Sequence, residues 1–195
     1  MEAKKIDKDL EWLRQVSRDV DLGSEDITED LRVLEEYCLG HGVFAMAAVQ
    51  LGIPKRLVYI KNTDLEKIED EEWNEATILI NPVIKKCEGL TQYWEACASC
   101  LDNMGLVLRP YRIEIEYLDI NGEKHEMIFE GFPATVFSHE YDHLDGILHM
   151  DKALEVLVME KEERKEFRKE HPYEIFSMDG DFLELEKGHG KGLKN

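Results

Sequence analysis

The sequence predicts an α+β fold: short antiparallel strands packed around a central metal-binding helix, with a charged C-terminal helix. Three observations carry this. Arg112 to Asp119 alternates charged and apolar residues, and Asn121-Gly122 follows it as a hairpin signal before Glu126 to Glu130 returns. Pro133 to Asp145 has helical spacing and places His139 and His143 on one face. Glu160 to His171 mixes five acids with five Lys or Arg residues, the mark of a solvated helix face.

The other elements follow in order. Asp9 to Val20 reads as a short helix or irregular lead-in, with Leu10, Leu13, Val16 and Val20 near helical spacing. Asp26 with Glu29 has the pattern of a capping box, and Ile27, Leu31, Leu34 and Cys38 form the apolar stripe of the helix behind it. Gly40 and Gly42 end that helix. The stretch Val43 to Leu51 is apolar and sets one amide, Gln50, among hydrophobes, where it must find partners inside the fold or on a ligand. Leu57 to Ile60 reads as a strand and Asn62 to Glu75 as an acidic surface insertion. Thr77 to Ile84 reads as a strand with a proline at an edge or bulge. His171-Pro172 stops the charged helix, and Gly188 to Gly192 reads as a loose tail.

With 195 residues, 43% hydrophobic and 34% charged, the chain reads as one soluble globular unit with a substantial core. Residues 1 to about 150 form that core, and about 151 to 195 form a helical extension and tail. No apolar run approaches membrane-spanning length, and the first residues lack the apolar segment of a secretory signal, so a cytoplasmic location is expected. A net charge of −19 opposes direct binding to nucleic acid. Cys38, Cys87, Cys97 and Cys100 do not make a disulfide framework in a chain this long.

The chemistry centres on His139-Glu140-Tyr141-Asp142-His143. Two imidazoles four residues apart on a helix reach one metal ion, and Glu140 stands where a carboxylate can take a proton from water. Two histidines do not complete a site, and three sets of partners are open. His149 would complete the metzincin protease pattern, which also needs a methionine turn, for which Met178 is a weak candidate. Cys97 and Cys100 together would close a four-ligand structural site, but 38 residues separate them from His139 and Glu140 would have no role. Cys97 alone would leave an open, catalytic position.

With the third choice the chain resembles the peptide deformylases over most of its length. The motif His-Glu-x-Asp-His-Leu stands unchanged at 139–144. Glu95-Ala96-Cys97-Ala98-Ser99 is similar to the family's Glu-Gly-Cys-Leu-Ser, and Val43 to Gln50 to its Gly-x-Gly-Leu-Ala-Ala-x-Gln. The resemblance implies that Cys97, His139 and His143 hold Fe2+, with Zn2+, Ni2+ or Co2+ as substitutes. It implies that Glu140 is the catalytic acid and base, and that Gln50 and the Ala98 N–H stabilise the oxyanion. The implied substrates are N-formylmethionyl peptides, and the implied partners include a transient contact with the ribosome, for which the mixed charge of the C-terminal helix gives no firm support. Glu95 is expected to pair with Arg109 as structural support. Ala45, Thr135 and Val136 are expected to line the methionine pocket, the last two by helix geometry. The resemblance also demotes His149, which falls where the family usually has an aromatic residue.

The sequence departs from the family pattern at Val43, Ala45 and Ala96, each in place of a glycine, and at Ala98 and Cys100. The added Cβ atoms at the glycine positions are expected to narrow the peptide groove, so efficiency and substrate preference are open to change and a catalytically impaired homologue stays an alternative.

Overall fold

The computed structural model describes residues 2–61 and 76–192. A short helix α1 (Leu10–Leu13) leads to helix α2 (Thr28–His41), strand β1 (Ala45–Ala47), a 3-10 turn (Ala48–Leu51) and strand β2 (Leu57–Lys61). Strands β3 (Ala76–Ala96), β4 (Asn103–Arg109), β5 (Arg112–Leu118) and β6 (Lys124–Glu130) follow in succession. Helix α3 (Phe132–Leu144), helix α4 (His149–Lys152), strand β7 (Glu155–Val158), helix α5 (Lys161–Glu170), strand β8 (Glu174–Asp181) and helix α6 (Phe182–Gly192) complete the chain. The acidic insertion expected at Asn62 to Glu75 lies outside the described residues.

Strand β3 is the spine of one antiparallel sheet. At Ile80 it pairs with Leu57 of β2 on one edge and Leu118 of β5 on the other. At Thr91 its partners are Arg109 of β4 and Ile175 of β8. A strand this long stays in one sheet by bending, and the register shifts between Ile80 and Val83. Asn81 sits there with φ of 50°, a left-handed conformation that asparagine tolerates, and its side-chain amide exchanges two 2.8 Å hydrogen bonds with the Val20 backbone. The expected proline bulge is present, and the strand continues through it to Ala96.

Three local expectations are corrected. Helix α2 starts at Thr28 with Ile27 at its N-cap and no side-chain cap; Asp26 accepts the Thr28 N–H at 2.9 Å, and Glu29 pairs with Arg32 instead of closing a capping box. The first helical hydrogen bond runs from the Leu31 N–H to the Ile27 carbonyl at 3.0 Å, so the helix begins one residue after Asp26. The β5–β6 connection runs from Asp119 to Glu123 rather than over two residues, because the Asp119 carboxylate accepts the N–H groups of both Asn121 and Glu123. Gly188 to Gly192, read as a loose tail, belongs to α6.

Helix α3 packs Ala134, Phe137 and Leu144 against Ile113, Ile115 and Phe129 of β5 and β6, with Phe129 and Phe137 stacked at 4.8 Å. Its other side is also buried but polar: Thr135, Ser138, Glu140, Asp142 and His143 all lie inside. Buried polar groups need partners, and the partners assemble the site. Behind the helix, Gly146 has φ of 70° and passes so close to the Arg14 backbone that a Cβ there would overlap its carbonyl.

Candidate metal centre

Strand β3 ends at Ala96, and Cys97 opens the turn that follows, closed by a 3.1 Å bond from the Cys100 N–H to the Cys97 carbonyl. This turn abuts the polar side of α3. Cys97 Sγ and one nitrogen from each of His139 and His143 lie within 4.8 Å of one another, with Sγ 3.3 Å from His143 Nε2. The sulfur also accepts hydrogen bonds from the Ser99 N–H and Gln50 Nε2, each at 3.4 Å. The Cys100 thiol, and then His143 and His139, hold the Cys97 pKa well below its usual value despite burial. The hydrogen bond to Cys97 pushes the Cys100 thiol the other way.

His139 Nδ1 donates to Glu95 Oε2 at 2.8 Å, leaving Nε2 as its ligand nitrogen. Burial opposes charge on His139, but the Cys97 sulfur and the Glu95 carboxylate outweigh it and raise its pKa well above the histidine norm. Two acidic groups beside this pair of largely buried imidazoles thus make a cation favourable here. Thiolate with imidazole suits zinc or iron, and three protein donors leave an open position. The donor set fits a divalent metal.

Arg109 grips Glu95 through Nε and Nη2 at 2.7 and 2.9 Å and reaches Asp142 at 2.6 Å, while Lys152 Nζ meets the other Asp142 oxygen at 2.6 Å. Burial would raise the Glu95 pKa, yet Arg109 holds it below the usual carboxylate range. Gln50 finds partners inside the fold, as one of its two readings had it: Oε1 accepts the Ala47 N–H at 3.1 Å and Nε2 donates to Ser99 Oγ at 3.1 Å, while the side chain lines the cavity. Glu140 is buried, with Oε2 held by the Ala47 N–H at 2.8 Å, and burial raises its pKa.

A cavity of about 270 Å³ opens on these groups. Ala45, Ala98, Thr135 and Val136 all line it, and so do Val43 and Ala96, which stand where glycines were expected. Phe44, Tyr93, Phe132 and Arg168 line it too and were not singled out in the sequence. Asp142 was likewise missed as a participant; its signal was a charge on a helix face that otherwise had to be buried. Arg168 gave none, being one charge among many in a polar helix.

His149 is not part of the donor group. Its ring is buried, stacks on His139 at 5.5 Å and lies over Gly105, where a Cβ would come within 3.0 Å. Burial lowers its pKa to about 4, so it stays neutral beside the cation site. Met178 is exposed on β8. A second cluster, Asp119, Glu123 and His125, is the β5–β6 turn, where Asp119 is already engaged by His125 at 2.9 Å.

A family model described as Polypeptide deformylase matches residues 4–159. The peptide deformylase of Pelagibacter ubique is 37% identical over 143 residues, covering 71% of this chain and 78% of the relative. Peptide deformylase 2 of Clostridium acetobutylicum is 38% identical over 149 residues, covering 75% and 92%. Among solved structures, the Met-Ala-Ser-bound class I type b peptide deformylase of Acinetobacter baumannii aligns with a TM-score of 0.66 at 25% identity, over 78% of this chain and 97% of that one. The actinonin complex of the Synechococcus elongatus enzyme aligns with a TM-score of 0.67 at 27% identity, over 88% and 87%. No helix among the described residues is long and apolar enough to cross a membrane.

Proposed function

The chain belongs to the polypeptide deformylase family, and from that membership we infer how its own residues divide the reaction. It is a metal-dependent hydrolase that removes the formyl group from N-formylmethionyl peptides. Cys97, His139 and His143 would hold the metal, with Fe2+ as the proposed native ion and Zn2+, Ni2+ or Co2+ as substitutes. When bound, the ion supplies Lewis acidity, polarising the formyl carbonyl and making water acidic enough to attack near neutral pH.

Glu140 takes the proton of the attacking water and gives it to the leaving amine, so the C–N bond breaks to formate and a free N-terminus. Burial suits it to both tasks by keeping its carboxylate less acidic than usual. The Ala47 N–H orients it. Gln50 Nε2, by turning the N–H it gives to the Cys97 sulfur toward the substrate, and the Ala98 N–H would stabilise the charge that develops on the formyl oxygen. Glu95, clamped by Arg109, fixes the tautomer and direction of His139. Phe44, Ala45, Phe132, Thr135 and Val136 receive the methionine side chain, and the side chains of Val43 and Ala96 narrow the approach to it. The catalytic core runs to about residue 150 and the rest is an extension; a cytoplasmic site and a transient ribosome contact through that extension would bring the enzyme to nascent chains.

The observation that carries this reading is the Cys97–His139–His143 cluster with Glu140 on the same cavity. The test is formate release from a formyl-Met peptide by Fe2+-loaded protein prepared without oxygen. Glu140→Gln should lower kcat by roughly 10²–10⁴ while metal content stays the same. Turnover that survives in Glu140→Gln would remove Glu140 from this role.

A further inference from the structure

Seven of the eight arginines, Arg14, Arg18, Arg32, Arg56, Arg109, Arg112 and Arg164, are ion-paired to a carboxylate. Arg168 is the exception among the described residues, and it is the one that lines the catalytic cavity. In a chain of net charge −19, an arginine held at this place without an acidic partner stands out. It comes from α5, beyond residue 159 where the family match ends.

Its position is built. Nε and Nη2 both donate to the Trp94 carbonyl, at 3.0 and 2.8 Å, and the guanidinium lies 5.1 Å above the Tyr93 ring. Next to it, Phe167 packs edge-on to Trp94 at 5.2 Å, which seats the helix against β3. A guanidinium has five N–H donors, so those not aimed at Trp94 remain for a ligand. The acidic groups on the cavity wall are Glu95, engaged by Arg109, Cys97 beside the two histidines, and Glu140.

We propose that Arg168 is a specificity-determining residue that binds a carboxylate on the peptide, carried by the second or third residue after the formyl group. Tyr93 precedes Cys97 by four residues along the end of β3 and into the turn, a span of at most roughly 13 Å at about 3.3 Å per residue. An extended peptide with its formyl group at the ligand cluster covers that span in about four steps, and the lengths of the arginine and ligand side chains bring the second or third residue within reach of Arg168. The fork geometry of arginine suits a carboxylate, and the aromatic face beneath it limits its freedom in advance. This rests on the deformylase reading, because it takes the formyl group to sit at Cys97, His139 and His143.

The test compares formyl-Met-Glu-Ala and formyl-Met-Ala-Glu with their Gln counterparts, all amidated at the C-terminus so that only the side chain carries charge. The Glu peptide of at least one pair should have a kcat/KM about fivefold higher, the scale of one charge-assisted hydrogen bond at a half-exposed site, and the ratio should shrink with added salt. Arg168→Gln should bring the ratio to one and Arg168→Lys should keep part of it, which separates the charge from the packing of α5. A ratio of one in the native protein, or a ratio untouched by Arg168→Gln, would overturn the proposal. Calorimetric binding of the products Met-Glu-Ala-amide and Met-Ala-Glu-amide against their Gln analogues reads the same preference without turnover. If no peptide releases formate, the deformylase reading fails, and the difference in product Kd still decides the role of Arg168.

Discussion

Glu95 Oε2 lies 2.8 Å from His139 Nδ1 and shares its carboxylate with Arg109, so one buried anion both aims a histidine of the candidate metal cluster and neutralises a buried cation. The two tasks are separable by substitution. Glu95→Gln keeps the shape but weakens the hold on His139, and metal affinity should fall about 10–100-fold in a competition with a chromophoric chelator. Glu95→Ala leaves the Arg109 charge short of a partner and should cost about 3–5 kcal/mol in urea unfolding. Unchanged affinity in the glutamine variant would detach Glu95 from the metal.

Cys97 and His149 were rival third ligands, and the geometry separates them. Cys97→Ala should lose its metal on gel filtration, whereas His149→Phe should keep a full complement. The reverse pattern, measured by atomic absorption, would put His149 back at the metal and Cys97 out of it.

The thiols differ in reactivity for the same structural reason. Burial pushes Cys38 up to about 12, which leaves a thiolate fraction of roughly 10⁻⁵ at pH 7. Cys97 moves in the opposite direction and faces the cavity. In chelator-treated protein at pH 7, iodoacetamide should therefore modify Cys97 well before Cys38. Restoring the metal should protect Cys97, and modification of Cys38 first would contradict this ordering.

Asp151 ties α4 to the lead-in segment through Arg14, and that hydrogen bond lowers its pKa below the ordinary 3.8. A depressed carboxylate pKa gives stability that is present above the unfolded value and lost as pH falls through the folded one. Both side chains are partly exposed, so the difference between the native protein and Asp151→Asn should be no more than about 1 kcal/mol at pH 7. It should close as the pH drops below 3.8. A gap that persists at pH 2 would mean the contribution is packing rather than charge.

Much of the fold was legible because it is local. The alternation of Arg112 to Asp119 gives a strand with Ile113 and Ile115 inside, and it does so in any context that offers an apolar surface. The boundaries of α3 were close to those expected, since Pro133 and Gly146 act on their own neighbours. Other local signals competed with one another. The Asp119 carboxylate, by accepting the N–H groups two and four residues on, gave a longer turn than Asn121-Gly122 alone suggested, and α2 began one residue later than Asp26 indicated. Arg168 could not be picked out from α5, because its difference from Lys165 or Lys169 lies in what it meets across the fold, Tyr93 and Trp94.

By itself the sequence determined that His139 and His143 share a helix face with Glu140 at hand, because a period of 3.6 residues fixes neighbours four apart. It brought Cys97, Cys100 and His149 forward as rival partners, and only the three-motif resemblance favoured Cys97. The tertiary structure decided which of them lies beside both histidines: pairing of β3 with β4 carries the turn at Cys97 onto the polar side of α3, while α4 directs His149 into a stack behind His139. Spacing along a chain constrains only a few residues in each direction. Which residue meets the metal from more than one element away is set by strand pairing and by burial of the apolar side of α3.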